Sequence, residues 1–207
     1  MARPDLRWTP RRVAASGMAS AVLFWGALFT FGRLEPAYSH AVRAVSELGM
    51  VGAAHQWAWN VTGFILPGLL LAAFGLGLAR IMAMPASLGG MFVCLSGLSF
   101  AATGVFPADM QHMDAFSTRA HILASLASLL VWLPAPILIA VGAGRRALAG
   151  LMWTSIAGLL CVLLGVMFGQ EILSRGYAQR LNFATYYAWV LGVGIGLEAS
   201  IRHRRSD

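Results

Sequence analysis

Long apolar segments alternate with short polar ones along the chain. A helix needs roughly 20 predominantly apolar residues to cross the hydrocarbon core of a bilayer, and six segments reach about that length. Their only ionisable side chains, apart from cysteine and tyrosine, are His121 and Glu198, each near a segment end. The pattern therefore predicts six membrane-spanning helices. The predicted spans cover residues 13–31, 57–79, 86–106, 120–143, 147–170 and 183–201.

The overall composition agrees with this pattern. Of the 207 residues, 58% are hydrophobic and only 11% are charged, whereas soluble domains carry about 25% charged residues. We therefore predict one all-α domain over residues 1–207, a polytopic bundle of six transmembrane helices. The chain contains no lysine, which excludes functions that depend on a lysine Schiff base.

The basic residues, all of them arginines, predict the orientation of the bundle. With six spans, ten of the 15 fall on the side of both termini and five on the other. Because arginine-rich connections stay inside the cell, both termini are predicted to be cytoplasmic. The ten are Arg3, Arg7, Arg11, Arg12, Arg80, Arg145, Arg146, Arg202, Arg204 and Arg205, and the five are Arg33, Arg43, Arg119, Arg175 and Arg180.

The same charge distribution predicts the surroundings of the protein. The net charge of +7 lies on the inner face in this topology, where anionic lipid headgroups attract it. Membrane lipids are therefore the expected partners, and nucleic acid is not expected to be one. An alanine-, glycine- and arginine-rich chain without lysine is typical of a GC-rich bacterial genome, so we predict a multi-pass protein of the bacterial plasma (inner) membrane.

Helix packing is predicted from the small residues, which mark close contacts between helices in lipid. Gly90, Gly97 and Gly104 recur at intervals of seven and would form one line along the third span. That helix is therefore predicted to lie at the centre of the bundle. Prolines remove backbone donors and should kink the second and fourth spans. They are Pro67, Pro134 and Pro136, and a further small-residue pair is Gly165 with Gly169.

Polar chemistry gathers at the predicted outer face. The stretch FPADMQHMDAFSTRAH, residues 106–121, contains aspartates, histidines and an arginine between two apolar runs. In the preceding outer connection, YSHAVRAVSELG is predicted to form a short helix that ends at Gly49, with His40, Arg43 and Glu47 on one face. Several spans add polar residues at the same depth. They include Asn60, Thr62, Ser96, Ser99, Thr103, His121, Ser125, Ser128, Asn182, Thr185, Tyr186 and Tyr187.

Three hypotheses compete for this cluster. In the first it has a structural or assembly role: Arg43 pairs with Glu47, Asp109 accepts hydrogen bonds from the amino terminus of the fourth span, and the serines bond to neighbouring backbones. In the second it is a site for a divalent metal such as zinc, which histidine and carboxylate ligands suit. In the third it is a pathway for protons or a small solute, with His121 titrating near neutral pH.

The metal hypothesis assigns a role to each residue. His40, Asp109 and His121 would be the ligands, and Glu47, Asp109 and His121 the catalytic groups, with Glu47 as base for a metal-bound water. Such a site would make the protein a metal-dependent hydrolase acting on a lipid or another amphiphile. The residues leave open whether the protein is an enzyme, because no HExxH or CxxC motif fixes a ligand set. The predicted substrate-binding residues are Arg43, Asn60 and Ser125.

Four segments resemble a known family. YSHAVRAVSELGMVGA, NVTGFILPGLLLAAFGLGLAR, GVFPAD and AHILAS are similar to the six-helix prokaryotic membrane proteins of domain of unknown function family 998, over about residues 20 to 200. The resemblance implies the six-span topology and the choice of site but no activity. His112 is a further histidine available as a metal ligand, but the family pattern does not include it, so the resemblance disfavours that role. The polar positions that it does imply are His40, Ser46, Glu47, Asn60, Asp109 and His121.

Overall fold

The computed structural model describes residues 8–142, 156–157, 160 and 174–203, and this part of the chain is helical without any strand. A 3-10 turn at Val45–Gly49 lies in the first connection. Five helices are described, and each apolar run of the sequence within this part lies in one of them. The helices are α1 (Pro10–Leu34), α2 (Gln56–Ile81), α3 (Ala86–Val105), α4 (Phe116–Gly142) and α5 (Arg175–His203).

The helices α1, α2, α3 and α4 are each long and apolar enough to cross a membrane. They coincide with the first four predicted spans, so the described residues indicate a multi-pass integral membrane protein. The predicted span at residues 147–170 lies outside the described residues, apart from three positions. The predicted span at 183–201 falls within α5, which is not among the four.

Glycines allow α2 and α3 to pack with their backbones in direct contact. A methyl group on Gly97 would lie 2.5 Å from the Ala72 nitrogen and 2.7 Å from the Gly68 oxygen. The predicted glycine line on α3 is thus confirmed, and within the described residues its partner is a second line of glycines on α2. Gly165 and Gly169 lie outside the described residues.

Proline interrupts both helices where this was predicted. In α2 a π-helical turn, Asn60–Ile65, ends two residues before Pro67. In α4 the helix breaks at Leu133 and resumes at Pro134. The Pro67 carbonyl oxygen also accepts a hydrogen bond from Ser20 Oγ of α1 at 2.8 Å, so the irregular segment is tied to its neighbour.

The helices are neighbours in the order α4, α3, α2, α1, α5. The two ends of this series meet through Trp132 of α4, whose ring lies 5.1 Å from Tyr186 and 5.5 Å from Trp189 of α5. One end of the bundle carries residues 35–55 and 106–115, and we call it the loop end. There the amide of Val51 donates to the Ala108 carbonyl at 2.9 Å, so the two connections pack on each other.

The first connection differs from the prediction. The predicted helix shrinks to the 3-10 turn Val45–Gly49, and the residues before it form turns. Its predicted end at Gly49 is confirmed, and the Gly49 carbonyl accepts a hydrogen bond from Asn60 Nδ2 at 2.9 Å. His40 therefore does not share a helical face with Arg43 and Glu47, because the backbone between them is not helical.

Candidate binding cavity at the loop end

A cavity of about 250 Å³ lies beneath the first connection, between α2, α3, α4 and α5. Most of its apolar wall comes from side chains of α2, α3 and α5, and its polar wall from α4, α5 and the connection. The lining residues are Val45, Ser46, Phe64, Leu71, Phe100, Thr103, His121, Ser125, Ser128, Leu129, Gln179, Asn182, Phe183, Tyr186 and Tyr187.

His121 is the titratable imidazole of the described cavity wall, and one ring nitrogen holds it in place. Its Nδ1 lies 3.0 Å from the Thr103 carbonyl oxygen and 2.9 Å from that of Phe106, at the end of α3. The Thr103 carbonyl lacks its normal helical partner because residue 107 is proline and has no N–H. His121 thus satisfies an acceptor that the sequence itself leaves free.

Hydroxyl groups continue the polar wall along α3 and α4. The Ser125 hydroxyl lies 3.4 Å from that of Thr103, and Ser96 Oγ donates to the Ser128 carbonyl at 2.7 Å. These bonds join the two helices beside the cavity. Ser125, predicted to bind substrate, is therefore placed where a bound molecule could contact it.

Helix α5 contributes polar atoms that lack protein partners. Asn182 Oδ1 is buried and forms no hydrogen bond in the described structure. Tyr186 Oη, beside Ser96, is also buried without a hydrogen bond of standard geometry. Buried polar groups are normally satisfied, so these two atoms are exceptions among the described residues.

The first connection is held over the cavity by α5. Arg180 donates to the carbonyl oxygens of Arg43 at 3.0 Å and Gly176 at 2.8 Å, to Tyr38 Oη, and through Nε to His40 Nδ1 at 3.3 Å. Its guanidinium also lies 5.6 Å from the centre of the Tyr38 ring. We call these Arg180 contacts the latch.

Two further bonds support the latch, and they place the roof of the cavity. Gln179 Oε1 accepts from the Val45 amide at 2.7 Å, and Ser174 Oγ donates to the Ala41 carbonyl. Val45 and Gln179 both line the cavity. The bond between Val45 and Gln179 therefore holds the roof against α5, and the latch holds the residues that precede the roof in the chain.

Titration of the latch residues follows from their surroundings. Partial burial lowers the pKa of His40, and the positive charges of Arg180 and Arg33 lower it further. Burial raises the pKa of Tyr38, although the charge and hydrogen bond of Arg180 act against this. His40 is thus a neutral acceptor in the latch rather than a free ligand.

Arg43 and Glu47 form the ion pair that the structural hypothesis predicts. Arg43 Nη1 lies 3.5 Å from Glu47 Oε2, and Glu47 Oε1 accepts from the Ala44 amide at 2.8 Å. Neither residue lines the cavity. The roles predicted for them, substrate binding and catalysis, have no support from this placement.

The Asp109 carboxylate accepts hydrogen bonds from residues of its own connection. Its Oδ1 accepts from the amides of Gln111 at 2.9 Å and His112 at 3.2 Å, and its Oδ2 lies 2.9 Å from His112 Nδ1. The hydrogen bond from His112, followed by that from Gln111, lowers the pKa of the Asp109 carboxyl. The structural hypothesis predicted an acid at this position that accepts backbone hydrogen bonds, but the donors lie before α4 rather than in it.

The predicted metal ligands are not brought together. His40 lies in the latch, Asp109 in the second connection and His121 in the cavity wall. Among the residues that the structure describes, no three His, Cys, Asp or Glu side chains are grouped closely enough to hold an ion. Asn60, predicted to bind substrate, is fully buried and supports Gly49 instead.

Comparison with known proteins identifies the family. Residues 18–196 match the family described as Protein of unknown function (DUF998). The chain belongs to the DUF998 family. No curated protein and no solved structure matches it. Family membership confirms the resemblance seen in the sequence, and the activity of this DUF998 protein has to be argued from its own residues.

The α5 face of the cavity in this DUF998 protein was predicted only in part: Asn182, Tyr186 and Tyr187 were counted in the polar cluster without a role, and Gln179 and Phe183 were not predicted. Gln179, Asn182, Phe183 and Tyr186 recur at helical spacing, which puts them on one side of α5. That spacing, with two amides among apolar residues, is a signal that could have identified this face. Arg180 was counted only for orientation, since nothing local indicates that it contacts residues 140 positions away.

Proposed function

We propose that this protein binds the polar end of an uncharged amphiphile in the cavity at its loop end. The observation that carries the proposal is the composition of the described cavity wall, which combines His121, amides and hydroxyls with large apolar side chains and contains no carboxylate, arginine or lysine. A phosphate or carboxylate headgroup would be buried there without a partner charge, which is costly. An uncharged headgroup avoids this cost.

The distribution of the wall residues along the helices supports an amphiphile rather than a fully polar solute. Ser46, His121 and Asn182 lie towards the loop end, whereas Leu71 and Leu129 lie deeper along α2 and α4, where the remaining polar groups of the wall are the hydroxyls of serine and tyrosine. A molecule with one polar end and an apolar remainder matches this order, since each part would contact groups of its own kind.

The size of the cavity limits how much of the molecule it can hold. A volume of about 250 Å³ corresponds to roughly eight water molecules at about 30 Å³ each. That is room for a small headgroup and its first few carbons, and not for a whole lipid. The hydrolase and transporter hypotheses are not part of the proposal, because the described wall offers neither a metal site nor a chain of titratable groups.

The number and orientation of the membrane spans are proposed from the sequence. We place the protein in a bacterial inner membrane with six spans, both termini in the cytoplasm and the loop end outside the cell. The excess of arginine on the side of the termini supports this orientation. Reporter domains fused after residue 81 and within residues 107–115 should report cytoplasmic and extracytoplasmic locations, respectively, and the reverse result would refute it.

Photo-crosslinking tests the binding proposal. A medium-chain alcohol that carries a diazirine should, on irradiation in detergent micelles, label cavity residues such as Phe183 or Leu129, as mapped by peptide mass spectrometry. Ser125→Trp, at the edge of the cavity, should abolish this labelling. Leu126→Trp is the matched control, because Leu126 is 49% exposed and does not line the cavity. Labelling that is equal in both variants, or absent from the cavity in the wild type, would refute the proposal.

A further inference from the structure

The hydrogen-bonding state of His121 is fixed by its two carbonyl partners. A carbonyl oxygen can only accept, so Nδ1, which faces the oxygens of Thr103 and Phe106, must carry the proton. In the neutral imidazole the other nitrogen, Nε2, is then a pure acceptor. No carboxylate in the described cavity wall could stabilise the imidazolium form.

The acceptor of His121 has no partner within the described structure. Both hydrogen bonds of the ring involve Nδ1, and His121 is only 6% exposed while lining the cavity. The cavity is thus where Nε2 can find a donor. A ligand that displaces water from this acceptor without supplying a donor binds less well than one that supplies it.

Asn182 supplies a second acceptor to the same cavity. Its Oδ1 is buried and has no hydrogen-bond partner, and the residue lines the wall formed by α5. An amide oxygen has two lone pairs and cannot donate. A small rotation of the Asn182 amide would expose Oδ1 to the cavity, so that α4 and α5 can present two acceptors to one bound molecule.

From these two atoms we infer that the cavity selects headgroups that donate hydrogen bonds, namely neutral headgroups with two free hydroxyls such as the glycerol of a monoacylglycerol. His121 Nε2 accepts one hydroxyl hydrogen and Asn182 Oδ1 the other. This inference rests on the proposed function and narrows its ligand class. Ketones, ethers and fully esterified glycerides bring only acceptors and would leave both protein atoms unsatisfied.

A matched pair of ligands tests the inference. A medium-chain monoacylglycerol and its dimethyl ether differ only in the two hydroxyl hydrogens and their methyl replacements. Each is used to compete with the diazirine-bearing alcohol for labelling of the detergent-purified protein, with concentrations expressed as mole fractions in the micelle. The monoacylglycerol should compete about tenfold or more better, because the ether leaves two acceptors unpaired.

The variant Asn182→Leu separates selectivity from binding. It removes one acceptor and keeps the side chain of similar size, so the preference for the monoacylglycerol should fall towards unity while labelling persists. Ala184→Leu, on the exposed side of α5, should keep the wild-type preference. Equal competition by the two ligands on the wild type, or an unchanged preference in Asn182→Leu, would overturn the inference and leave the proposed function standing. Absence of cavity labelling by the alcohol would overturn both.

Discussion

The guanidinium of Arg180 donates through Nε to Nδ1 of His40, 3.3 Å away, and so joins residues 140 positions apart in the chain. His40 can accept this bond only when Nδ1 is unprotonated. Protonation would remove the acceptor and add a positive charge beside Arg180 of α5 and Arg33 of α1. The latch over the cavity is therefore complete only when His40 is neutral.

Acidification should loosen the latch. The pKa of His40 is lowered from about 6.5 in the closed structure, so the open state binds more protons and the closed state loses stability as pH falls. The loss should begin as pH falls through about 6.5 and be complete below the lowered pKa. Hydrogen exchange at the Arg43 and Val45 amides should accelerate between pH 7.5 and 5, after correction for intrinsic rates, by at most about tenfold per pH unit.

The variant His40→Asn provides the control for this pH dependence. Asparagine keeps an acceptor near the position of Nδ1 but does not titrate, so the corrected exchange rates should become independent of pH. His55→Asn, which replaces an exposed histidine of the same connection, should behave as the wild type. A pH response that survives in His40→Asn would show that another group controls the latch.

Lysine should not replace Arg180. Arg180 donates to two carbonyl oxygens, to Tyr38 and to His40, and a lysine ammonium cannot reproduce this planar fork. Arg180→Lys should therefore destabilise the docked connection by roughly 1–3 kcal/mol, measured as faster exchange at residues 38–45. Arg175→Lys, at an exposed position of the same helix, should leave exchange unchanged. Similar rates in both variants would contradict the assigned role of Arg180.

The bundle was largely predictable from the sequence, whereas the connections were not. Apolar length and glycine spacing are local signals, and they identified four described spans and the glycine face of α3. Tryptophan near the end of a membrane span typically lies at the membrane–water interface, but Trp59 is fully buried against Phe31 and Phe64. Its environment depends on which helices surround it, and local spacing carries no such information.

The site was also predicted only in part, because local spacing identifies the face of a helix but not the residues that contact it. Helical spacing placed His121 and Ser125 on one face of α4, where both line the cavity. The grouping of His40, Asp109 and His121 assumed that a shared depth in the membrane implies contact. Arg180 and His112 provide closer partners for His40 and Asp109, and competition between partners depends on tertiary structure rather than on spacing.

A methyl group at Gly97 should separate α2 from α3. It would lie 2.5 Å from the Ala72 nitrogen and 2.7 Å from the Gly68 oxygen, and both are backbone atoms that move only with their helix. Gly97→Ala should lower the unfolding free energy by about 1–3 kcal/mol, measured as a lower thermal midpoint in one detergent. Gly26→Ala has nothing within 4 Å of the added carbon and should be neutral or slightly stabilising. Equal midpoints for the two variants would contradict the close packing.

Asp109 should tolerate asparagine but not alanine. The Oδ1 atom accepts from the amides of Gln111 and His112, and asparagine can present an oxygen in the same place, whereas alanine cannot. Exchange at these two amides should rise in Asp109→Ala and stay near the wild-type rate in Asp109→Asn. Cavity labelling by the diazirine-bearing alcohol should be unchanged in both, because Asp109 is not part of the cavity wall. If Asp109 were instead a catalytic or metal-binding carboxylate, Asp109→Asn would remove that function. The loss would occur even when the connection stays folded, because the substitution removes the charge.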